Sequence, residues 1–168
     1  PTQAAQLKQQ LAPGIQAVGV FVKEDPETVV HLLEDGVIDV AQLHGDESEA
    51  YIRTLRQHTH KPILQAFRVD TPVDLEKAQA SSADYILLDS GDGGTGETFD
   101  WSLLAGATRP YFLAGGLDPE NVGGTVEKLK PYAVDVSSGI ETDGKKDPEK
   151  MRNFVRAVRG AVGEERDT

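Results

Sequence analysis

Asp89 is placed to move a proton: the uninterrupted apolar run Tyr85-Ile86-Leu87-Leu88 stops at its carboxylate, and glycines follow at Gly91, Gly93, Gly94 and Gly96. Such a run predicts a parallel strand buried on both faces, whose carboxyl end is where open sheets and barrels hold their ligands. A carboxyl there either works as a general acid or base or simply caps a turn. Two later apolar runs end in Gly115-Gly116 and in Ser137-Ser138-Gly139. Adjacent strand ends of that kind offer backbone N–H groups to a phosphate, and glycine lets the anion approach closely; an isolated pair of glycines is otherwise a turn. The run Ile140 to Lys146 leaves room for the short extra turn that often helps such a site.

Other residues are more ambiguous. Asp135 stands two before Ser137 and points the same way if the strand pleat continues, which would give a second inward carboxylate. His44 follows Gln42 across a pleat and either contacts a substrate or is an ordinary loop histidine, as His58 and His60 are expected to be. Arg68 serves a ligand or a salt bridge at the rim. Phe99 and Trp101 are expected to pack under the glycine loop, and Lys145-Lys146 to be a solvated pair. No cluster has metal-ligand spacing, and neither a P-loop nor a dinucleotide fingerprint is present.

The elements that must position these groups alternate. Helices are expected from Thr2 to Leu11, after Asp25-Pro26 through Val29, Val30, Leu32 and Leu33, and after Asp46 through Tyr51, Ile52 and Leu55, with Asp46 and Glu49 as a capping-box variant. Further helices follow Thr71-Pro72 (Leu75, Ala78), Trp101 to Leu104, Asp118-Pro119 (Val122, Val126, Leu129) and Asp147-Pro148 (Met151, Phe154, Val155, Val158). Six strands interleave with them: Ile15 to Val22, read as buried, Val37 to Leu43, Pro62 to Val69, Tyr85 to Asp89, Tyr111 to Ala114 and Ala133 to Val136. Strict alternation forces parallel strands, because each crossover helix returns the chain to the same end of the sheet. A closed eight-stranded barrel needs at least about 200 residues, so 168 residues fit either a barrel short of its first two strands or an open sheet.

One domain, residues 1–168, is the default at this length. The net charge of −11 argues against nucleic acid and against an anionic membrane surface as partners. With no cysteine, disulfides and thiolate metal sites are excluded. No apolar run approaches the roughly 18 residues of a spanning helix, and a cytoplasmic location is expected.

In order, the segments GVFVKEDPE, DVAQLHGDE, ILLDS…GGTGETFDW, FLAGGLDPENV and YAVDVSSGIE…GKKDPEKM resemble the phosphoribosylanthranilate isomerase family of tryptophan biosynthesis over residues 14–158. The resemblance implies a (βα)8 TIM barrel without metal or organic cofactor, monomeric or homodimeric, acting on a small phosphorylated substrate. It implies an Amadori rearrangement of N-(5-phosphoribosyl)anthranilate to 1-(2-carboxyphenylamino)-1-deoxyribulose 5-phosphate. Asp89 would be the general acid that protonates the furanose ring oxygen. Gly115, Gly116, Ser138 and Gly139 would bind phosphate, His44 and Asp135 would line the site, and the loop Gly91 to Thr98 would close over it.

The sequence departs from the family in two respects. The family's general base is a cysteine in a Lys-Ile-Cys-Gly-like first strand, and a substrate arginine follows the second strand; neither has a counterpart here. The expectation is therefore a barrel whose first two strands lie outside these residues. The alternative is an inactive barrel fragment that binds phosphate ligands or pairs with a second chain. Other phosphate-binding barrels, such as indole-glycerol-phosphate synthase or ribulose-phosphate epimerase, lack support, because the strand ends carry no lysine pair and no pair of metal-binding histidines.

Overall fold

The computed structural model describes residues 2–89 and 101–163, with the side chains of residues 101 and 102 left aside. The architecture is α/β. Six strands, β1 (Val18–Phe21), β2 (Val40–Leu43), β3 (Ile63–Arg68), β4 (Tyr85–Asp89), β5 (Tyr111–Ala114) and β6 (Ala133–Val134), follow one another in sequence order in one parallel sheet. Val18 lies beside Val40, Ala41 beside Ile63, and Phe112 beside Ala133. The intervening helices are α1 (Thr2–Lys8), α2 (Pro26–Glu34), α3 (Glu49–Arg56), α4 (Pro72–Ala80), a 3-10 helix (Trp101–Gly106), α5 (Val122–Leu129) and α6 (Pro148–Ala161). Contacts divide the chain into two compact units, the first of residues 1–67 and 77–87, the second of residues 68–76 and 88–168.

The first unit is built on Val29 and Leu33 of α2, Ala41 and Leu43 of β2, Ile52 and Leu55 of α3, and Ile63 of β3, all buried in one cluster. Each buried Leu or Ile contributes about 1.5–3 kcal/mol relative to an exposed one. Asp25 caps α2 by accepting from the Glu27 N–H at 2.8 Å, with Pro26 at the first helical position. The cap of α3 is Ser48, which accepts from the Tyr51 N–H at 3.3 Å, and not Asp46. Asp46 has a left-handed φ of +56° and turns the chain before the helix can begin. Lys8 ties α1 down, donating to the Gly36 carbonyl (2.9 Å) and to Asp39 (2.7 Å), whose other carboxylate oxygen accepts from the Ala17 N–H (2.8 Å). The Lys8 hydrogen bond, seconded by Ala17, holds the Asp39 carboxyl below the ordinary carboxylate range.

β1 is not the buried strand its composition suggests. Gly19 and Phe21 are partly covered, but Val20 is 60% exposed, and Ile15, Val18 and Val22 are exposed as well. The reason is position: among the described residues β1 ends the strand order with β2 as its one neighbour, so apolar side chains have cover from one side.

In the second unit Leu88, Leu104, Tyr111, Leu113, Leu117, Val122, Val126, Ile140 and Phe154 are buried. Asp147 caps α6 by accepting from Glu149 (2.8 Å) and Lys150 (3.2 Å), with Pro148 at the first position. Helix α6 packs on α5 and buries Phe154, whereas Met151 and Val155 are exposed. Strand pairing in β6 stops at Val134, and Ser137 has a ψ of −85°, so the pleat does not carry from Asp135 to Ser137 as anticipated. The extra turn lies earlier than expected, as a 3-10 turn at Ser138–Ile140. Residues 141–146 form a small hairpin, β7 (Glu141–Thr142) with β8 (Lys145–Lys146), around Asp143 (φ +51°) and Gly144 (φ +71°). Two successive left-handed residues, Asp then Gly, are what a type I′ hairpin turn requires.

Candidate active site

In the second unit the loops that follow β5 and β6 meet directly. Gly115 and Gly116 have φ of +94° and +60°, a path open mainly to glycine. Asn121 fixes that path, donating from Nδ2 to the Gly116 carbonyl at 2.8 Å while its Oδ1 accepts from the Asp118 N–H at 3.0 Å. Asp118 in turn accepts from the N–H groups of Glu120 (2.8 Å) and Asn121 (2.9 Å). A Cβ on Gly139 would lie 1.9 Å from the Leu117 carbonyl oxygen, so no other residue fits there without separating the loops. The structure thus brings Gly115, Gly116, Ser138 and Gly139 into one neighbourhood, where backbone dipoles and small side chains suit an anion.

The hairpin braces this neighbourhood from outside. Lys146 donates to the Ser137 carbonyl (2.8 Å), to Ser137 Oγ (3.3 Å) and to Glu141 (2.7 Å), and Lys150 donates to the Glu141 carbonyl (2.6 Å). Lys145 and Lys146 are both exposed, as expected, and Lys146 makes these contacts at the surface.

Asp89 stands half-buried at the carboxyl end of β4, and its carbonyl accepts from the Val69 N–H at 3.1 Å, which fixes the backbone that carries the carboxylate. Arg68 pairs with Asp70 at 2.9 Å, both side chains more than half exposed. The rim salt bridge is the reading of Arg68 that the geometry supports. Asp135 is exposed beyond β6, its N–H donating to the Leu113 carbonyl at 2.8 Å.

In the first unit His44 follows β2 and is exposed, its N–H donating to the Phe21 carbonyl at 2.8 Å. Its Nδ1 lies 3.1 Å from Nε2 of the buried Gln42. Nearby, Tyr51 donates its hydroxyl to the Glu24 carbonyl at 2.8 Å, and burial pushes the phenol up to about 12. His58 and His60 are exposed, as expected. The glycine loop 91–98 and Phe99 lie outside the described residues, as does the Trp101 side chain. Among the described residues, no group of three His, Cys, Asp or Glu is placed to hold a metal, and no helix is long and apolar enough to cross a membrane.

Residues 1–157 match the family described as N-(5'-phosphoribosyl)anthranilate (PRA) isomerase. The chain belongs to the phosphoribosylanthranilate isomerase family. A relative of that name from Endomicrobium trichonymphae is 42% identical over 160 residues, 93% of this chain and 78% of the relative. Another from Acetivibrio thermocellus is 44% identical, covering 95% and 79%. Among solved structures, the isomerase of Thermotoga maritima superposes with a TM-score of 0.82 at 35% identity, covering 95% of this chain and 80% of that one. An isomerase solved in complex with reduced 1-(o-carboxyphenylamino)-1-deoxyribulose 5-phosphate superposes with a TM-score of 0.80 at 34% identity, covering 95% and 79%. A 3-hexulose-6-phosphate synthase at 16% identity shares the fold alone.

Sequence reasoning passed over the residues that shape the isomerase-like strand ends. Asn121 is three residues beyond Asp118, a spacing at which a side-chain amide can return to the preceding turn. Glu47 reads as one more acid in HGDESE, yet it is buried, at 7% exposure. A Gly-x-Glu at a strand end is a weak signal, and burial alone distinguishes this carboxylate from its neighbours Asp46 and Glu49.

Proposed function

We propose that the protein is an isomerase that converts N-(5-phosphoribosyl)anthranilate into 1-(2-carboxyphenylamino)-1-deoxyribulose 5-phosphate in tryptophan biosynthesis. The observation that carries this reading is the family match across residues 1–157. The joined loops after β5 and β6 support it, since such a substrate needs its phosphate anchored.

In this reading the phosphate is held by the backbone of Gly115, Gly116, Ser138 and Gly139, while His44 and Asp135 line the site. Asp89 donates a proton to the furanose ring oxygen; the C1–O bond breaks and a Schiff base forms between C1 and the anthranilate nitrogen. Loss of the C2 proton to a base gives the enolamine, and reprotonation at C1 with formation of the C2 carbonyl gives the aminoketose. The proton balance closes, and neither redox chemistry nor a cofactor is needed. The base has no counterpart in residues 1–168, which contain no cysteine. We place it on strands outside these residues that complete a single (βα)8 barrel domain in the cytoplasm. The exposed Ile15, Val18, Val20 and Val22 support that placement, because a strand alongside β1 would cover them.

The test is Asp89→Asn in the full-length protein. Turnover falls by about three orders of magnitude or more while the affinity for the reduced product analogue changes only modestly. Near-normal turnover of the variant would refute the role of Asp89.

A further inference from the structure

The rearrangement gives no task to Glu47, yet this carboxylate is buried and its two oxygens are shared between two strand ends. Oε1 accepts from the Lys23 N–H at 2.7 Å, just beyond β1, and Oε2 accepts from the Gly45 N–H at 2.8 Å, just beyond β2. The Glu47 backbone is held as well, its carbonyl accepting at 2.7 Å from Nε2 of the buried Gln65 in β3. Gln65 Oε1 then accepts from the Ser81 hydroxyl at 2.6 Å.

The fit around Gly45 is close. A Cβ there would come within 2.7 Å of Glu47 Oε1, 2.9 Å of the Lys23 nitrogen and 3.0 Å of Val22 Cα. Lys23 (φ +52°) and Asp46 (φ +56°) both take the left-handed conformation, which is strained for a residue that carries a side chain. Such conformations persist where surrounding bonds over-determine them. Here they are the two bonds to the Glu47 carboxylate together with the Gln65 bond to the Glu47 carbonyl. His44 lies between the clamped Gly45 and Leu43 of the ladder, with Gln42 against its ring.

We infer that Glu47 is a positioning residue: it ties together the backbone just beyond the carboxyl ends of the paired strands β1 and β2, and so sets where the His44 imidazole is presented to the substrate. This rests on the proposed isomerase reading for the substrate and for His44 as a residue that lines the site; the clamp itself is a feature of the first unit.

The experiment uses Glu47→Gln, whose amide can accept one of the two N–H groups but sets an NH2 against the other. In the full-length protein, amide exchange at Lys23 and Gly45 should speed up by about tenfold or more, while that at Leu43 and Ile63 stays within about twofold. KM for N-(5-phosphoribosyl)anthranilate should rise by about tenfold with a smaller change in kcat. In a His44→Ala background the same substitution should change KM by less than about twofold, because the residue it acts through is gone. Unchanged protection at Gly45 would overturn the inference, as would lost protection with unaltered KM, or an equal loss in the His44→Ala background. A variant without a cooperative melt would also overturn it, since the carboxylate would then support the whole fold. Should the wild-type protein not consume the substrate, the isomerase reading fails, and the exchange pattern at Lys23 and Gly45 still decides the clamp.

Discussion

The strand end after β2 and the paired strand ends after β5 and β6 are held in place by different means. After β2 a single buried carboxylate, Glu47, gathers two backbone N–H groups, and the non-glycine residues beside it accept strained conformations. After β5 and β6 glycine itself does the work: the loops approach so closely at Gly139 that a side chain is excluded, and the polar groups that brace them, Asn121 and Lys146, sit at the surface. The difference follows from what each end is proposed to present. An anion is bound by backbone, so the backbone must be bare and close; an imidazole is a side chain, so the backbone beneath it must be rigid.

The contrast can be broken most severely at Gly139. Gly139→Ala places a methyl against the Leu117 carbonyl, and overpacking of that kind costs about 1–3 kcal/mol or more. Calorimetric titration with the reduced product analogue should show affinity falling by at least about tenfold, and retained affinity would mean that the loop contact is dispensable. Asn121→Ala should have a smaller effect. It strands the Gly116 carbonyl and the Asp118 N–H at an exposed site, for about 1 kcal/mol, read as a rise in KM of about fivefold with kcat nearly constant.

Within the first unit, Asp39 offers a pH test. Its folded-state carboxyl is held low by Lys8 and by the Ala17 N–H, so its contribution is present above the unfolded value near 3.8 and is lost as pH falls through the lower folded value. Urea melts should show Asp39→Asn less stable than wild type by about 0.5–1 kcal/mol at pH 7, with the gap narrowing as the pH is taken down through the lowered folded value. A gap that persists unchanged in acid would contradict the assignment. Smallest of all is Arg68→Ala. With both members of its salt bridge exposed, stability should shift by less than about 0.5 kcal/mol and kcat/KM by less than about twofold. A larger loss of kcat/KM would bring Arg68 into the site.

Much of the fold is legible in the sequence for local reasons. Apolar runs ending in polar groups mark β2 to β5, and the Asp-Pro pairs at Asp25 and Asp147 cap the helices they announce. What the sequence hides depends on neighbours. Val20 is apolar in either setting, and the number of strands beside β1 decides whether it is covered. Ser48 prevails over Asp46 as a cap because a left-handed residue moves the helix start, and periodicity does not register that. The glycines of the β5 and β6 ends are visible by type, whereas their junction at Leu117 is tertiary. Glu47 is hidden most completely, as an acid among acids whose role is set by burial.

The central claim is tested most directly by following the anthranilate fluorescence of N-(5-phosphoribosyl)anthranilate as the full-length wild-type protein acts on it. The account predicts steady consumption of the substrate and formation of the aminoketose product. Binding of the reduced product analogue without any consumption of substrate would contradict it, and would leave the chain as a phosphate-binding relative of the isomerases.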